Sequence, residues 1–400
     1  MMNEIVRVVV VGGGYGGVTA ANSLARRDGV SVTLVNPRPE FVERIRLHQL
    51  LTGSDDAVES FGDVLGGNVR LVVDTATLID ATERRVSLAD GGTLPYDYLV
   101  YAVGSGASDP GVPGAAEFAE SVSDLEAAER LRAALAATPA TAPLTVVGAG
   151  PTGLETAAEL AEAGRRVTLV CGKVLGPSLH AAGRRPVARR LAELGVTVLE
   201  GPGASVTEVT GDAVRLADGR ELPSSVTIWT AGFRVPDLAV RSGLLTDAEG
   251  RLLTDGTLTS VGDDRIVAAG DSASMSDHPF RMSCQAAVQL GPAAASTILR
   301  RIAMKKPAPV RMFFAGQCLS LGRNEGVTQF SYPNDKVNAL RVSGRPGAGV
   351  KEIACRFTLN KLLSGARKAG SGTPRASRGD GAALPETPRS EQRTTTSGTS

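Results

Sequence analysis

Residues 146–159, VVGAGPTGLETAAE, place three glycines in the pattern G-x-G-x-x-G, directly after an apolar stretch and before a segment that favours a helix. In such a unit the first glycine allows a tight turn and the second lets a pyrophosphate approach the backbone. The third lets the helix pack close to the strand, and the helix N-terminus then faces the phosphates. The residues expected to contact this dinucleotide are Gly148, Gly150, Pro151, Thr152 and Gly153.

The same pattern occurs once more, near the N-terminus. Residues 6–26, VRVVVVGGGYGGVTAANSLAR, begin with an apolar run, and the alanine-rich part predicts a helix from Tyr15 to Arg27. One glycine pattern of this kind is a weak signal, whereas two copies in the same strand, turn and helix context predict two dinucleotide sites. The residues expected to contact the first dinucleotide are Gly12, Gly14, Tyr15, Gly16 and Gly17.

Both units depart from the usual pattern at the end of their second strand. An acidic residue often binds a ribose hydroxyl there, but the first unit has Asn36 followed by Pro37. Asparagine can hydrogen-bond a hydroxyl, and a plain Asn-Pro turn is the alternative. The second unit has Cys171 at this place, which does not decide between NADH and NADPH. Lys173 or Arg165 could bind the 2′-phosphate of NADPH, or either side chain could be solvated.

Composition and charge exclude several classes of protein. The chain of 400 residues is 42% hydrophobic, enough for a sizeable core and two or three domains. Its formal net charge of +1 offers no basic field for nucleic acid. Its four cysteines lie far apart without a C-x-x-C pair, and its three histidines are scattered. We therefore expect reduced thiols, no redox-active dithiol and no metal site.

No segment of the sequence looks like a signal peptide or a membrane span. The chain enters a strand within a few residues, and no run approaches the roughly 18 apolar residues that a spanning helix needs. We expect a cytoplasmic protein, with peripheral contact to the inner face of the cell membrane as an open alternative.

Three further segments could line a ligand. Residues 41–53, FVERIRLHQLLTG, set Arg44 and His48 among apolar residues; the alternative is an amphipathic helix whose charges are solvated. Two buried strands, 96–105 and 226–233, include Gly104 and Gly232, which would let backbone approach a cofactor closely.

Polar side chains follow the last of the predicted strands. Residues 265–273, RIVAAGDSA, deliver Asp271 just after Gly270, and its carboxylate can accept hydrogen bonds from sugar-like hydroxyls or cap a helix. The next predicted helix carries Gln285 and Gln289 four residues apart on one face. Two such amides could bracket a ligand carbonyl, although surface glutamines at this spacing are common.

Together these motifs resemble, in order along residues 5–360, the flavoprotein pyridine-nucleotide (disulfide) oxidoreductases, and within them the type II NADH:quinone oxidoreductases. The resemblance implies FAD at the first fingerprint and at Gly270-Asp271, and NADH or NADPH at the second. It implies a quinone-type acceptor near Gln285 and Gln289, and a catalytic Glu155 near nicotinamide and quinone. It also implies that His48 or Gln49 lies near the flavin. Hydride would pass from NAD(P)H to the flavin, and two electrons from there to the acceptor.

Two alternatives stay open beside this hypothesis. A soluble ferredoxin-reductase-like enzyme would leave the glutamine pair structural, and a low-turnover, apoptosis-factor-like redox sensor would keep both fingerprints but reduce its flavin slowly. A homodimer is open as well. The basic amphipathic stretch 356–368, RFTLNKLLSGARK, offers at best a weak membrane contact, and an ordinary final element is the alternative.

The predicted fold is α/β, with two Rossmann-like dinucleotide-binding domains, the FAD domain being split by the inserted NAD(P)H domain. A smaller C-terminal region and a tail rich in Gly, Ser, Thr, Pro and Arg follow, and the tail is expected to be disordered because it has few apolar residues to bury. The expected bounds are 1–120 and 236–300 for FAD, 121–235 for NAD(P)H, 301–363 for the C-terminal region and 364–400 for the tail.

Overall fold

The computed structural model describes residues 5–275 and 280–370, and the backbone of 375–377. Up to residue 118 its elements are β1 (Val6–Val11), α1 (Tyr15–Leu24), β2 (Val30–Asn36), β3 (Glu40–Val42), α2 (Leu47–Leu50), β4 (Val58–Ser60), α3 (Phe61–Val64), β5 (Val69–Val73), β6 (Ala76–Asp80), β7 (Arg85–Leu88), β8 (Thr93–Pro95), β9 (Tyr98–Tyr101), β10 (Gly106–Ala107) and α4 (Ala115–Phe118).

The next elements are β11 (Ala119–Ser121), α5 (Leu125–Ala137), β12 (Pro143–Val147), α6 (Pro151–Glu162), β13 (Arg166–Val170), α7 (Ala181–Glu193), β14 (Thr197–Leu199), β15 (Val206–Val209), β16 (Ala213–Leu216), β17 (Glu221–Pro223), β18 (Val226–Trp229) and β19 (Phe233–Arg234). The remainder are α8 (Leu238–Arg241), β20 (Leu252–Thr254), β21 (Ile266–Ala268), β22 (Ala273–Met275), α9 (Cys284–Ile302), β23 (Gly316–Ser320), β24 (Gly326–Ser331), β25 (Val337–Gly344), α10 (Arg345–Lys368) and β26 (Arg375–Ser377).

A six-stranded parallel sheet, in the order β21-β9-β1-β2-β5-β26, forms the first layer. Its central strand β1 is a run of valines, of which Val8 to Val11 are buried, as expected for a parallel strand covered on both faces. Helices α1 and α9 cross closely on this sheet, because a β-carbon on Gly291 would lie 2.1 Å from Thr19 Oγ1. The sheet therefore combines strands from both sides of the inserted segment.

A five-stranded parallel sheet, in the order β11-β18-β12-β13-β14, forms the second layer. All of its strands come from residues 119–229, and strands β10 and β19 pair where the chain enters and leaves this part. The predicted α/β class, with one dinucleotide-type domain interrupted by another, is confirmed. Helix α5 starts at Leu125, after the edge strand β11 ends at Ser121.

The C-terminal region is an antiparallel sheet, β23-β24-β25, followed by the 24-residue helix α10. Helix α10 continues to Lys368, past the predicted boundary after Leu363. The end of α10 packs against the protein through two alanines. Ala366 and Ala369 are 5% and 1% exposed, and a β-carbon on the facing Gly66 would lie 2.5 Å from that of Ala369. Strand β26 pairs with β5, and residues 371–374 and 378–400 of the predicted tail lie outside the described residues.

Candidate functional site

The first glycine turn connects β1 to α1 and leaves room above its second glycine. Gly12 has φ +103°, and a β-carbon there would lie 2.2 Å from the Ala102 carbonyl oxygen. A β-carbon on Gly17 would lie 1.8 Å from the Gly12 oxygen, whereas one on Gly14 would meet no described atom within 4 Å. A β-carbon on Gly16, which lies between Gly14 and Gly17, would make ordinary contacts. The turn thus combines tight packing below with open space at the helix N-cap, the arrangement a pyrophosphate needs.

Asn36 lies beside this turn and is bound to the protein through both ends of its amide. Its Oδ1 accepts from the Gly13 N–H at 3.0 Å and its Nδ2 donates to the Arg38 carbonyl at 2.8 Å. Asn36 is 7% exposed. The asparagine therefore fixes the glycine turn to the end of β2, and its contact with a ribose stays a prediction.

Asp271 meets two residues from distant parts of the chain. Ser105 Oγ donates to Asp271 Oδ2 at 2.7 Å, and Arg44 Nη1 lies 3.9 Å from the same oxygen. Arg44 also donates to Ser105 Oγ at 3.2 Å. Gly104 and Gly270 precede the serine and the aspartate, with φ +72° and +76°. The sequence predicted Arg44, Gly104, Gly270 and Asp271 as cofactor residues but missed the serine.

Several polar atoms beside the first turn are buried without a hydrogen-bond partner in the described part of the chain: Asp271 Oδ1, Tyr15 OH and Glu43 Oε2. A buried polar group without a partner costs free energy, so such atoms need an explanation. A sugar-like chain of hydroxyls running from the open glycine turn toward Asp271 would supply donors for the carboxylate. The residues present therefore fit the ribityl and pyrophosphate parts of FAD.

The second glycine turn repeats this geometry between β12 and α6. Gly148 has φ +109°, a β-carbon on Gly153 would lie 1.9 Å from the Gly148 oxygen, and one on Gly150 would meet no described atom within 4 Å. Pro151 opens the helix, where its missing N–H costs nothing. Beside the turn lies a cavity of about 300 Å³, whose lining includes Thr152 and Gly232.

Arg165 is not available to a 2′-phosphate at this second turn. Its guanidinium donates to the Thr138 and Leu135 carbonyls at 3.1 and 3.0 Å, at the end of α5. It also precedes β13, whereas ligands of parallel sheets bind beyond the carboxyl ends of the strands. That alternative for Arg165 was wrong, because its guanidinium is bound to backbone carbonyls at the end of α5.

Glu155 lies one turn into α6, two residues after the last glycine of the second pattern, and is 7% exposed. Its Oε1 accepts from the Ser320 N–H at 2.9 Å and lies 2.8 Å from Lys351 Nζ. His48 Nδ1 lies 3.9 Å from Glu155 Oε2, and His48 Nε2 is 3.0 Å from Ser320 Oγ. Four distant segments of the chain therefore meet around one buried carboxylate.

The electrostatics of this cluster favour an ion pair beside a neutral imidazole. Burial raises the pKa of Glu155, but the charge of Lys351 and the hydrogen bonds from Lys351 and Ser320, joined by His48 where it is protonated, outweigh burial and hold that pKa below its usual value. Burial lowers the pKa of Lys351, but the Glu155 carboxylate prevails and raises it. For His48, burial dominates and lowers the pKa to about 4. Glu155 and Lys351 are thus charged at neutral pH, and His48 is not.

Gln285 and Gln289 bind backbone of one extended segment. Gln289 Nε2 donates to the Phe313 carbonyl at 2.9 Å, and its Oε1 accepts from the Phe313 N–H at 3.0 Å. Gln285, in the amide orientation that satisfies both of its groups, accepts from the Ala315 N–H at 3.0 Å and donates to the Gly316 carbonyl at 3.3 Å. In this structure the pair fixes residues 313–316 to the start of α9, and the predicted ligand contact remains a prediction.

The segment 41–53 is not a helix with solvated charges, as one alternative had it. It forms a short 3-10 turn and then α2, and Arg46 is 8% exposed. The guanidinium of Arg46 lies 3.0 Å from Glu352 and 3.4 Å from Asp55. His48 is likewise buried, at 4% exposed, among the polar groups around Glu155. The polar side chains of this segment face inward because α10 and α6 supply partners for them.

Sequence reasoning missed Ser105, Ser320 and Lys351. A lone serine or lysine carries no spacing signal, and Lys351 lies in a helix of which the sequence indicated only the last part. The described residues contain no group of three His, Cys, Asp or Glu side chains placed to hold a metal ion. None of the helices in that part of the chain has the length and apolar composition required to cross a bilayer.

Comparison with known proteins gives relatives along most of the chain. Residues 6–291 match the pyridine nucleotide-disulphide oxidoreductase family. The chain is 33% identical over 393 residues to an NADH dehydrogenase-like protein of Mycobacterium tuberculosis, covering 90% of this chain and 96% of that protein. It is 30% identical over 375 residues to a type II NADH:quinone oxidoreductase of the same organism, covering 81% and 79%.

Two solved structures share the fold. The sulfide:quinone oxidoreductase of Aquifex aeolicus superposes with a TM-score of 0.76 at 21% identity, covering 90% of this chain and 92% of that one. NDH2 from Plasmodium falciparum, in complex with NADH, superposes with a TM-score of 0.74 at 16% identity, covering 91% and 98%.

Proposed function

The chain belongs to the pyridine nucleotide-disulphide oxidoreductase family, and from that premise we propose that it is an FAD-dependent NAD(P)H oxidoreductase that passes two electrons to a quinone-type acceptor. The observation that carries the proposal is the pair of open glycine turns, on two parallel sheets of one chain, with a partnerless carboxylate oxygen of Asp271 beside the first. The sequence relatives include a type II NADH:quinone oxidoreductase, which agrees with it.

Each turn has a distinct task in this proposal. The N-terminus of α1 and the backbone at Gly14 hold the pyrophosphate of FAD, and Asp271 accepts hydrogen bonds from its ribityl hydroxyls. When bound, FAD would accept a hydride from NAD(P)H and then pass two electrons to the quinone-type acceptor. The N-terminus of α6 and Gly150 hold the pyrophosphate of NAD(P)H. The protein's own contribution is to orient both groups.

Glu155 and Lys351 supply a fixed pair of charges in the proposal. They form a buried ion pair between α6, which binds the reductant, and α10, which packs on the FAD domain. Burial raises the pKa of Cys284, and the nearby ammonium of Lys351 lowers it by less, which agrees with a position of that ammonium near the start of α9, where Gln285 follows. Because Glu155 raises the pKa of Lys351, the ammonium keeps its proton there and can stabilise the negative charge that a reduced acceptor gains.

The membrane contact is proposed for the outer face of α10 rather than for all of 356–368. Leu362 is fully buried and Leu359 and Leu363 pack on the core, which removes most of the predicted apolar face. Ile353 and Phe357, four residues apart, are each 68% exposed. We expect Ile353→Ser/Phe357→Ser to reduce co-sedimentation with vesicles of anionic phospholipid; unchanged co-sedimentation would reject the contact. Homodimerisation, cytoplasmic location and the domain bounds stay predictions.

One anaerobic experiment tests the proposed function. The purified protein should show yellow FAD absorbance, lose it on addition of NADH or NADPH, and regain it with menadione. Ferricyanide, a one-electron acceptor, serves as the comparison in steady state. A colourless preparation that does not take up added FAD would refute the flavin site, and bleaching over hours would favour a redox sensor. Reoxidation by a ferredoxin but not by a quinone would favour the ferredoxin-reductase alternative.

A further inference from the structure

We propose that Glu200 makes the second dinucleotide site selective for NADH over NADPH. Glu200 follows the neighbouring strand β14, and its carboxylate takes the role of the acid that Cys171 replaces after β13. This inference rests on the proposed function, since it concerns the reductant of that same site. It would decide between NADH and NADPH, a choice that the sequence left open at the end of β13.

Strand pairing places Glu200 at the same edge as Cys171. Strands β13 and β14 are parallel, with Val170 beside Leu199. Beyond the strands the pairing continues, since Cys171 N–H donates to the Leu199 carbonyl and Gly201 N–H to the Gly172 carbonyl, each at 2.8 Å. Glu200 therefore sits alongside residues 171–172, at the carboxyl edge of the sheet where dinucleotides bind.

The side chain of Glu200 is held over the loop that follows β13. Its Oε2 accepts from the Leu175 N–H at 2.9 Å, which fixes the carboxylate to this loop and leaves Oε1 to accept from a ligand. Burial, and then the charge of Glu200, raise the pKa of Cys171 to about 12, in agreement with a short distance between the two groups. Cys171 is thus a neutral thiol beside a fixed anion.

A fixed carboxylate at this edge distinguishes the two nucleotides. It can accept hydrogen bonds from the adenosine ribose hydroxyls of NADH, as the acid at the end of the second strand does in other dinucleotide sites. It repels the 2′-phosphate of NADPH, which carries up to two negative charges. Lys173 on the same loop is exposed, Arg165 is bound to the end of α5, and Arg184 binds carbonyls farther along the loop, at Gly176 and Leu179. The anchored charge alongside residues 171–172 is therefore that of Glu200.

The test compares binding of ADP-ribose and 2′-phospho-ADP-ribose to the FAD-loaded protein by calorimetry, so that no hydride transfer is involved. We expect the wild-type protein to bind ADP-ribose at least about tenfold more tightly. Glu200→Gln removes the charge but keeps an oxygen that can accept from Leu175, and should reduce this ratio by about tenfold, chiefly through tighter binding of the 2′-phosphate form. The matched control is Glu193→Gln, an exposed acid that precedes β14 and so lies at the opposite edge.

The outcomes separate this inference from the proposed function. A ratio near one in the wild-type protein, a preference for the 2′-phosphate form, or equal effects of Glu200→Gln and Glu193→Gln would overturn the role of Glu200 while leaving the oxidoreductase in place. Failure of both ligands to bind would contradict the nicotinamide site itself. The ratio of kcat/KM for NADH and NADPH should follow the binding ratio in each variant.

Discussion

Replacing Lys351 with methionine tests how far the buried Glu155 carboxylate depends on a single cation. The side chains of Glu155 and Lys351 are 8% and 12% exposed, and Lys351 Nζ lies 2.8 Å from Glu155 Oε1. Methionine keeps the length and the apolar stem of lysine and removes only the ammonium. Glu155 then retains the two donors of Ser320, at 2.9 and 3.3 Å, but no adjacent full positive charge at neutral pH.

The expected loss in the free energy of unfolding at pH 7 is about 3–4 kcal/mol. Breaking a buried ion pair by removing one partner costs about 3–5 kcal/mol. Protonation of Glu155 limits that cost, because placing a proton at pH 7 on a carboxyl with an unfolded pKa of about 4.3 requires about 3.7 kcal/mol.

The sign of the pH dependence differs between the two proteins. In the wild type the pKa of Glu155 is held below its unfolded value, so its contribution is present above about pH 4.3 and is lost as the pH falls below that. In Lys351→Met burial acts without the ion pair and raises that pKa. The loss caused by the substitution should therefore shrink as the pH falls from 7 toward 5.

Urea unfolding of the FAD-loaded protein, followed by circular dichroism at pH 5, 6, 7 and 8, measures this difference. The double variant Glu155→Gln/Lys351→Met should regain most of the stability, because no buried charge is left unpaired. Lys305→Met removes an exposed lysine and should change the free energy of unfolding by less than about 0.5 kcal/mol. A loss below about 1 kcal/mol for Lys351→Met at pH 7, or one that does not vary with pH, would refute the coupling.

Three other substitutions address single features of the site. Asp271→Asn should weaken FAD binding about 10- to 100-fold, because a charged acceptor is lost; a flavin fluorescence titration measures this, and Asp90→Asn on an exposed turn should not change it. Gly150→Ala should weaken NADH binding by about tenfold and leave FAD binding intact, since its β-carbon enters only the second turn; equal losses of both would contradict two separate sites. His48 has a pKa of about 4 in the folded protein and about 6.5 in the unfolded chain. The free energy of unfolding should therefore decrease by up to about 3 kcal/mol as the pH falls from 6.5 to 4, because the unfolded chain binds the proton first. A His48→Gln variant with the same pH dependence of stability would reject this.

Local sequence patterns were sufficient for the two glycine turns. Their geometry depends on neighbours a few residues apart, such as Gly12 with Gly17 and Gly148 with Gly153, and each turn lies between an apolar strand and a helix. The order of these motifs along the chain then indicated the split domain, because strand β21 returns to the first sheet after the insertion.

Contacts between distant segments were beyond local patterns. The sequence showed Gln285 and Gln289 on one helix face, but not that an extended segment at 313–316 would occupy their amides. It showed few apolar residues after Leu363, but not that Gly66 would let Ala369 pack closely. In each case the contact depends on a partner far away in the sequence. Nothing in the local sequence of that partner, whether an extended segment or a single glycine, indicates the contact.

The cluster around Glu155 links the second dinucleotide site to the last long helix. A carboxylate one turn into α6 sets a negative charge near a helix N-terminus that is arranged to face a pyrophosphate, and the two anions repel each other. The ammonium of Lys351 cancels that charge at 2.8 Å, inside a region where screening by salt is weak. We therefore expect the docking of α10 to favour nucleotide binding, because Lys351 neutralises the acid that follows the nucleotide turn.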